Sequence, residues 1–434
     1  MRLLQKNQWF RHFFLLLLLC QLLGVLLNGC GRFGGRCEAN FGPSPIPGLA
    51  VMGNSVYLLS SGGQALSALR ASDGLLQWRA SALSGYQASL TADNGRVYLD
   101  TTSSSPGSVS VFRARDGKLL WSKNTQAPLL IIHGSVYLYQ DGILTALNGS
   151  NGSSRWTMQL SSFSSLQSAA GVVYLLDGQG QVHALQEANG ARLWQANLDH
   201  LSLPQYRGAS LLATYPRLQI LQGVVYVRTD QMYALRASDG HVLWHVPLAQ
   251  SSSQPFAVAH GVVYFVLNGH LSALQAADGH PIWQSQGNTR YHFFLLTPGI
   301  VYATQADVTQ GPLDTSYLDA LQTSDGHVLW HYHGSFIHAV ASQGSILYLL
   351  TSSASLYDSD ATLLALQGHD GKPLWHHSVR ATALLLQSGF LYVGLAGNSS
   401  SPCAPQSADQ LTNFEAEKGS QIWHKHIQDP ASSS

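Results

Sequence analysis

The sequence predicts an all-β protein, a single β-propeller of four-stranded antiparallel blades with eight to nine blades. A Gly is followed four residues later by Trp nine times, and successive Trp residues lie 35 to 50 residues apart. That spacing is typical of a propeller blade. A Tyr also stands at a constant place in every repeat. Nine copies favour nine blades, whereas four to eight blades are usual, so both eight and nine stay open.

Each repeat contains four strand signals in a fixed order. An apolar stretch ends in Gly, a second carries the Tyr, a third carries Ala-Leu or its equivalent, and a fourth carries the Trp. Alternating apolar residues and tight Gly turns predict an antiparallel meander. The repeats place the propeller at residues 45–427, followed by a disordered tail at 428–434. The nine tyrosines are Tyr57, Tyr98, Tyr137, Tyr174, Tyr226, Tyr264, Tyr302, Tyr348 and Tyr392.

Asp-Gly or a near equivalent stands between the third and fourth strands, as in Asp73-Gly74 and Asp239-Gly240. Asx and Gly tolerate the positive φ of tight hairpins. These acidic residues recur too regularly to form a catalytic set. We therefore interpret them as turn residues.

The Trp side chains are predicted to wedge between adjacent blades. A buried indole covers about 150–250 Å² and its N–H needs an acceptor. Nine such wedges would hold a ring together by apolar contact. The predicted inter-blade docking residues are Trp78, Trp121, Trp156, Trp194, Trp244, Trp283, Trp330, Trp375 and Trp423.

The N-terminus has the order of a secretory signal. Basic residues precede an apolar run that ends at Leu27-Asn28-Gly29-Cys30. This ending resembles a bacterial lipobox, which implies a signal peptide at 1–29, a lipid on the Cys30 sulfur and a tether at 30–44. The protein would then be exported and anchored at the extracytoplasmic side of a bacterial membrane. An ordinary signal peptide with later cleavage, or an uncleaved anchor, is the alternative.

Two further cysteines remain after Cys30. Cys37 lies just before the first repeat and Cys403 inside the last, and in a closed ring those two places are neighbours. An even pair in an oxidising compartment favours a disulfide that latches the ring. Two unpaired thiols are the alternative.

Charge does not point to a nucleic-acid partner. The 434 residues carry 23 Lys and Arg against 23 Asp and Glu, with a formal net charge of +0. A neutral chain has no excess of positive charge for phosphate. We expect a monomer that binds no nucleic acid.

The repeat resembles the pyrroloquinoline-quinone-repeat propellers, whose docking motif runs Ala, Asp or Asn two later, Thr-Gly, then Trp. The Gly and Trp positions match throughout, but Arg or Gln mostly stands at the Asp/Asn position, and Asn413 replaces Ala in the last unit. The Ala position is matched by Ala68, Ala146, Ala184, Ala234, Ala273, Ala320 and Ala365. The resemblance implies either a quinone-dependent dehydrogenase or a non-catalytic propeller such as the lipoprotein of the outer-membrane β-barrel assembly machinery.

Strand parity predicts one elaborated face. Connections from second to third strand and from fourth to first strand emerge at the same end of the ring, and the long segments all belong to these classes. Binding residues accumulate on such loops. The candidate binding residues are Tyr206, Tyr215, Asp307, Asp314, Tyr317, Tyr357, Asp358 and Asp360. Solvated loop residues without a ligand are the alternative.

The favoured hypothesis is a membrane-anchored, non-catalytic scaffold that presents this face to a protein partner or ligand, without a cofactor. The alternative is a dehydrogenase with pyrroloquinoline quinone and Ca²⁺. That branch carries adjacent cysteines, which this chain lacks, and Asp358-Ser359-Asp360 is its one compact acidic pair in a long loop.

Histidines raise the question of a metal. His331 and His333, and also His424 and His426, alternate along fourth strands, so a Zn²⁺ or Cu²⁺ site is geometrically possible. Most of the 19 histidines occupy surface positions of outer strands or turns. We expect plain surface use and no metal site.

Overall fold

Nine four-stranded sheets form a ring in the computed structural model. It describes residues 48–60, 65–82, 89–101, 107–125, 129–198, 217–248, 256–286, 291–305, 317–334, 336–352, 360–381, 383–396 and 408–426. Each sheet contains four strands that are consecutive in the chain, and every pairing is antiparallel. The all-β prediction is confirmed, and nine is the correct blade count. The irregular ninth repeat forms a complete blade.

The strands of the first five blades are as follows. Blade 1 contains Leu49–Met52 (β1), Ser55–Leu59 (β2), Ala65–Arg70 (β3) and Leu76–Ser81 (β4). Blade 2 contains Ser89–Asp93 (β5), Arg96–Asp100 (β6), Ser108–Arg113 (β7) and Leu119–Asn124 (β8). Blade 3 contains Leu129–Ile132 (β9), Ser135–Gln140 (β10), Ile143–Asn148 (β11) and Ser154–Gln159 (β12). Blade 4 contains Phe163–Ala169 (β13), Val172–Asp177 (β14), Gln181–Gln186 (β15) and Arg192–Asn197 (β16). Blade 5 contains Leu218–Leu221 (β17), Val224–Arg228 (β18), Gln231–Arg236 (β19) and Val242–Pro247 (β20).

The other four blades complete the ring. Blade 6 contains Phe256–Ala259 (β21), Val262–Leu267 (β22), His270–Gln275 (β23) and Pro281–Gln284 (β24). Blade 7 contains Tyr291–Thr297 (β25), Ile300–Gln305 (β26), Tyr317–Gln322 (β27) and Val328–His333 (β28). Blade 8 contains Phe336–Gln343 (β29), Ile346–Ser352 (β30), Asp360–Gln367 (β31) and Pro373–Arg380 (β32). Blade 9 contains Ala383–Gln387 (β33), Phe390–Ala396 (β34), Ala408–Glu415 (β35) and Gln421–His426 (β36).

The repeated Tyr, Ala and Trp lie side by side across the sheet. In blade 1, Tyr57 pairs with Ala68, and Ala68 pairs with Trp78. The small Ala leaves room for the two aromatic rings to approach, with centroids 5.9 Å apart. This arrangement explains why a bulky, a small and a bulky residue recur in that order.

The hydrophobic core lies between blades. One apolar cluster joins Tyr174 and Leu176 of blade 4 to Val225 and Val227 of blade 5. First strands of neighbouring blades, such as β1 and β5, contact one another, so they form the inner wall of the ring. Burial therefore stabilises the ring as a whole, because each blade covers the face of its neighbour.

The turns differ in one respect from the sequence interpretation. In the Asp-Gly turns between third and fourth strands only the Gly has a positive φ, 68° at Gly74. The Asp acts through its side chain instead, since the Asp73 carboxylate accepts a hydrogen bond of 3.0 Å from the N–H of Leu75. Paired positive φ values occur between first and second strands, as at Asn94-Gly95, with 48° and 73°.

Every repeated indole donates its N–H to a carbonyl of the following blade. Trp244 of blade 5, for example, donates to Ala276 of blade 6 at 2.9 Å. Each indole also lies against the turn Gly of the following blade, so that a Cβ on Gly279 would lie 2.8 Å from the Trp244 ring. The acceptors are Ala114 for Trp78, Gly149 for Trp121, Glu187 for Trp156, Ala237 for Trp194, Thr323 for Trp283, Gly368 for Trp330, Glu417 for Trp375 and Ala71 for Trp423.

Blade 9 closes the ring on blade 1. Leu411 and Trp423 share an apolar cluster with Leu49 and Val56. No strand is exchanged between the two blades, because each consists of four consecutive strands. Closure among the described residues thus depends on side-chain packing and hydrogen bonds. The described ranges contain no helix that is long and apolar enough to cross a membrane.

Candidate binding face

The two ends of the ring differ in how they connect strands. At the turn face, first and second strands, and third and fourth strands, are joined by short turns such as Asn94-Gly95 and Asp73-Gly74. At the loop-rich face, second strands join third strands and fourth strands join first strands. Connections of seven or more residues all lie at the loop-rich face, namely 82–88, 101–107, 198–217, 248–255, 306–316, 353–359 and 397–407.

These long connections are not distributed evenly around the ring. Blades 7, 8 and 9 each have a long connection between second and third strands. Blades 3, 5 and 6 connect the same strands with two residues, Asp141-Gly142, Thr229-Asp230 and Asn268-Gly269. Blade 2 also has a long second-to-third connection, at 101–107, but only blades 7, 8 and 9 have such connections on consecutive blades.

The sequence-predicted binding residues divide between two parts of this face. Asp307 and Asp314 belong to the connection of blade 7, and Tyr357 and Asp358 to that of blade 8, which are neighbouring blades. Tyr206 and Tyr215 belong to the connection from blade 4 to blade 5, with blades 5 and 6 between them and the others. All six lie outside the described residues, as do Cys30, Cys37 and Cys403. The roles proposed for these residues therefore stay predictions.

Tyr317 and Asp360 are described, and both begin a third strand at the loop-rich face. The Tyr317 ring lies on the His333 ring with centroids 4.3 Å apart. The Asp360 carboxylate is 81% exposed and lies 3.5 Å from the Arg380 guanidinium. On adjacent blades, Asp360 is thus exposed and Tyr317 is partly exposed, which suits a recognition surface better than a closed pocket.

Buried polar groups concentrate at the same end of the ring. Among the described residues, the acidic, basic and histidine side chains that are at least nine-tenths buried are Asp177, His183, Arg228, Asp319 and His338. Each belongs to the part of its strand that adjoins the loop-rich face. The Asp177 carboxylate lies 3.2 Å from the His183 imidazole within blade 4. Sequence reasoning missed all five, although a charged residue at the end of an apolar second strand, as at Asp177 and Arg228, is a visible signal.

Asp319 is the centre of a polar network in blade 7. Its carboxylate accepts hydrogen bonds from the Tyr291 hydroxyl and the Gln305 amide, both at 2.6 Å, and from the His331 Nδ1 at 2.7 Å. Burial and the neighbouring Asp319 charge raise the pKa of Tyr291. The network fixes the His331 ring while leaving its Nε2 toward solvent, since the His331 side chain is 69% exposed.

Arg228 is a buried cation in blade 5. Its guanidinium donates to the Val266 carbonyl at 2.9 Å and lies 5.7 Å from the centre of the Phe265 ring. Burial, and then repulsion from Arg217, lower the pKa of Arg228 to about 10. Arg217 precedes the first strand of blade 5 and Arg228 ends the second, so both lie near the loop-rich face of this blade.

The cofactor of the dehydrogenase alternative requires clustered oxygen ligands for Ca²⁺. Across the described ranges, no three His, Cys, Asp or Glu side chains meet in a group that could hold a metal ion. The buried carboxylates of Asp177 and Asp319 are already directed at His183, Tyr291 and His331. These residues do not fit a calcium site of the kind that the quinone would need.

One cavity lies away from the predicted face. It occupies about 630 Å³ at the turn face between blades 8 and 9, and its lining includes Gln343, Tyr348, Phe390, Glu415 and Glu417. Burial, and then the Glu417 charge, raise the pKa of Tyr348 to about 12. The lining therefore holds a neutral phenol and carboxylates, with Lys418 paired to Glu415 at 2.7 Å.

Comparison with known families decides what this propeller belongs to. The family profile of outer membrane protein assembly factor BamB matches residues 37–173, 178–333 and 296–434, which is nearly all of the predicted mature chain. The chain belongs to this family. The repeat resemblance noted in the sequence is thereby confirmed.

Curated relatives match only in part. BamB of Moranella endobia is 26% identical over 176 residues, 35% of this chain and 44% of that protein. The serine/threonine-protein kinase AfsK of Streptomyces griseus is 30% identical over 196 residues, 40% of this chain and 23% of that protein. The chain thus spans less than half the length of these curated relatives.

Solved structures agree on the fold. The BamB crystal structure from Moraxella catarrhalis has a TM-score of 0.51 and 15% identity, and the match covers 75% of this chain and 95% of that chain. A quinohemoprotein alcohol dehydrogenase from Pseudomonas putida HK5 also has a TM-score of 0.51, with 14% identity, covering 81% and 76%. At these identities the similarity shows only the propeller fold, and it does not distinguish BamB from a dehydrogenase.

Proposed function

We propose that this BamB-family propeller is a lipid-tethered scaffold of the bacterial cell envelope that holds a protein partner on its loop-rich face. The observation that carries the proposal is the family match over nearly the whole predicted mature chain. Relatives in that family are named as outer membrane protein assembly factors. The partner of this chain would accordingly be a protein of the envelope.

The asymmetry of the ring supports the choice of face. The turn face consists of short turns whose side chains serve the fold, such as the Asp73 carboxylate that caps the Leu75 N–H. The loop-rich face has long connections on three adjacent blades, together with accessible Tyr317 and Asp360. A rigid scaffold with irregular loops at one end is suited to specific binding.

Site-specific photo-crosslinking tests which face binds. A photo-reactive residue is placed at Tyr317 or Asp360 of the full chain in its own cells, and at Lys118 or His241 on the turn face as matched controls. We expect crosslinks to an envelope protein from the first two positions only. Crosslinks from the turn face alone, or none from any position, would contradict the proposal.

Metabolic labelling with radioactive palmitate tests the tether. We expect label in the unchanged chain and in Cys37→Ser, but none in Cys30→Ser, which lacks the thioether attachment site. Fractionation is not used for this purpose, because a chain without lipid can keep its uncleaved apolar segment in the membrane. A single acyl chain binds a membrane marginally, with about 10⁴ M⁻¹, but two or three hold a protein firmly. Absence of label from the unchanged chain would exclude the lipid anchor.

The dehydrogenase alternative has its own measurement. Purified full chain is incubated with pyrroloquinoline quinone and Ca²⁺, and then assayed for a bound chromophore and dye-linked alcohol oxidation. We expect neither, since the described carboxylates are directed at other side chains. A bound chromophore with activity would replace the scaffold proposal.

A further inference from the structure

Two histidines on the last strand of the ring point their Nε2 atoms at each other. His424 and His426 of β36 are both exposed, and their Nε2 atoms are 3.4 Å apart. The rings meet edge to face, at an interplanar angle of 86° and with centroids 4.9 Å apart. Alternate residues of a strand share a face of the sheet, so both rings lie on the same face of blade 9.

The distance between the two nitrogens fits a shared metal ion. Zn²⁺ binds imidazole at about 2.0–2.1 Å, and a tetrahedral angle then separates two nitrogen ligands by about 3.3–3.4 Å. A square-planar ion such as Cu²⁺ with bonds of about 2.0 Å would need cis nitrogens about 2.8 Å apart. The observed 3.4 Å is also longer than the usual hydrogen-bond range of about 2.7–3.2 Å.

A hydroxyl on the neighbouring strand orients one of the rings. The Thr412 Oγ1 lies 2.8 Å from the His424 Nδ1. When that Nδ1–H donates to Thr412, the His424 Nε2 carries the lone pair that a metal needs. Such an outer contact, which fixes tautomer and ring orientation, is usual for histidine ligands.

The other His-x-His pair of the described chain has no such convergence. His331 is held by the Asp319 carboxylate at 2.7 Å, and His333 lies on the Tyr317 ring. The same sequence spacing thus gives two different arrangements, because the side chains are tethered differently. His331 and His333 therefore serve as a matched control.

From this geometry we propose that His424 and His426 form a surface site for Zn²⁺, with water completing a tetrahedral shell. The site goes beyond the scaffold role and does not depend on it. It lies next to the closing contact, because Trp423 precedes His424 and docks on blade 1. Lys425 faces the other side of the strand, near Gly74 of blade 1. For this pair, the proposal departs from the expectation of plain surface use.

Calorimetric titration with Zn²⁺ tests the site. Full chain in detergent, without a polyhistidine tag and freed of metal by a chelator, is compared with His424→Ala, His426→Ala and the double variant His331→Ala/His333→Ala. We expect at least a tenfold weaker zinc affinity in the two single variants and no change in the control. Unchanged binding in the single variants would overturn the proposal, as would loss of binding in the control.

Two further measurements separate a metal site from a pair that only shares a proton. Co²⁺ in place of Zn²⁺ should give the strong visible bands of tetrahedral cobalt, and His426→Ala should abolish them. Thr412→Val should weaken zinc binding several-fold while leaving thermal unfolding of the metal-free protein unchanged. Pale octahedral cobalt spectra, or zinc affinity unaffected by Thr412→Val, would contradict the geometry proposed.

Discussion

The Trp423 indole donates a hydrogen bond of 2.8 Å to the Ala71 carbonyl, 352 residues away in the sequence. The Asn413 amide donates to the same oxygen at 2.9 Å. The other eight indoles make the equivalent bond between blades that the chain already connects. Only between blades 9 and 1 does this contact join the two ends of the chain.

Trp423→Ala should therefore open the ring between blades 9 and 1. Loss of a buried aromatic costs about 3–5 kcal/mol. Blades 9 and 1 are not consecutive in the chain, so once the predicted Cys37–Cys403 disulfide is reduced only noncovalent contacts hold them together. We expect limited proteolysis to remove a terminal blade from this variant. Trp244→Ala loses the same contact between consecutive blades 5 and 6, so its terminal blades should resist the protease. Identical digestion patterns would show that closure does not depend on Trp423.

Gly74→Ala separates two roles of the turn glycine. A Cβ there would lie 2.9 Å from the Trp423 ring, and Gly74 has a φ of 68°. At Gly95, with a φ of 73°, a Cβ would meet nothing within 4 Å. We expect Gly95→Ala to lower the free energy of unfolding by about 1–2 kcal/mol through backbone strain. Gly74→Ala should cost about 1–3 kcal/mol more through overpacking.

Urea unfolding of the two Gly variants provides the measurement. Equal losses of stability would mean that the indole simply moves away from the added methyl group. In a double-mutant cycle, Gly74→Ala should cost less stability when Trp423 is already Ala. Such a smaller cost would show that the two positions are directly coupled.

The fold was predictable because one unit recurs. Gly and Trp at fixed spacing reflect a contact that each blade makes with the next. Because this contact is made nine times, its sequence pattern recurs nine times. Asn413 obscured the ninth copy, since the Ala position is filled there by a larger polar residue. Its amide compensates by adding a hydrogen bond to Ala71.

The polar groups of the loop-rich face were not predictable in the same way. Asp319 is the one acidic residue at its place in the nine third strands, where the other blades have Ser, Thr, His, Tyr or Leu. Its partners Tyr291 and Gln305 come from two other strands. The pair His424 and His426 was visible as a spacing, yet His331 and His333 have the same spacing without convergence. The contacts that hold each ring decide which pair converges, and these contacts do not recur from blade to blade.

Asp319→Asn should destabilise blade 7. The amide keeps the shape of the side chain, but its NH₂ group would face donors that now bond to a carboxylate. A buried polar group left without a partner costs about 1–3 kcal/mol. His331→Ala removes only the exposed donor and should cost less than about 1 kcal/mol. Thermal unfolding of both variants checks this order, and a larger loss in His331→Ala would contradict it.

Alkaline pH should destabilise the ring through its repeated tyrosines. Burial raises the pKa of Tyr98 and Tyr302 to about 12, and burial together with the Glu417 charge does the same for Tyr348. An unfolded tyrosine ionises near pH 10, so between pH 10 and 12 the unfolded chain loses protons that the folded chain keeps. Stability is then fully present below about pH 10 and falls as the pH rises toward 12.

Unfolding midpoints in urea at pH 8, 10 and 11, with phenolate absorbance followed in parallel, test this dependence. We expect phenolate to form together with unfolding above pH 10. Tyr348→Phe removes one of the raised pKa values, so its midpoint should fall less steeply over the same range, whereas a substitution of the exposed His241 should not change the slope. Tyrosines that ionise near pH 10 while the ring stays folded would show that the phenols are accessible to water.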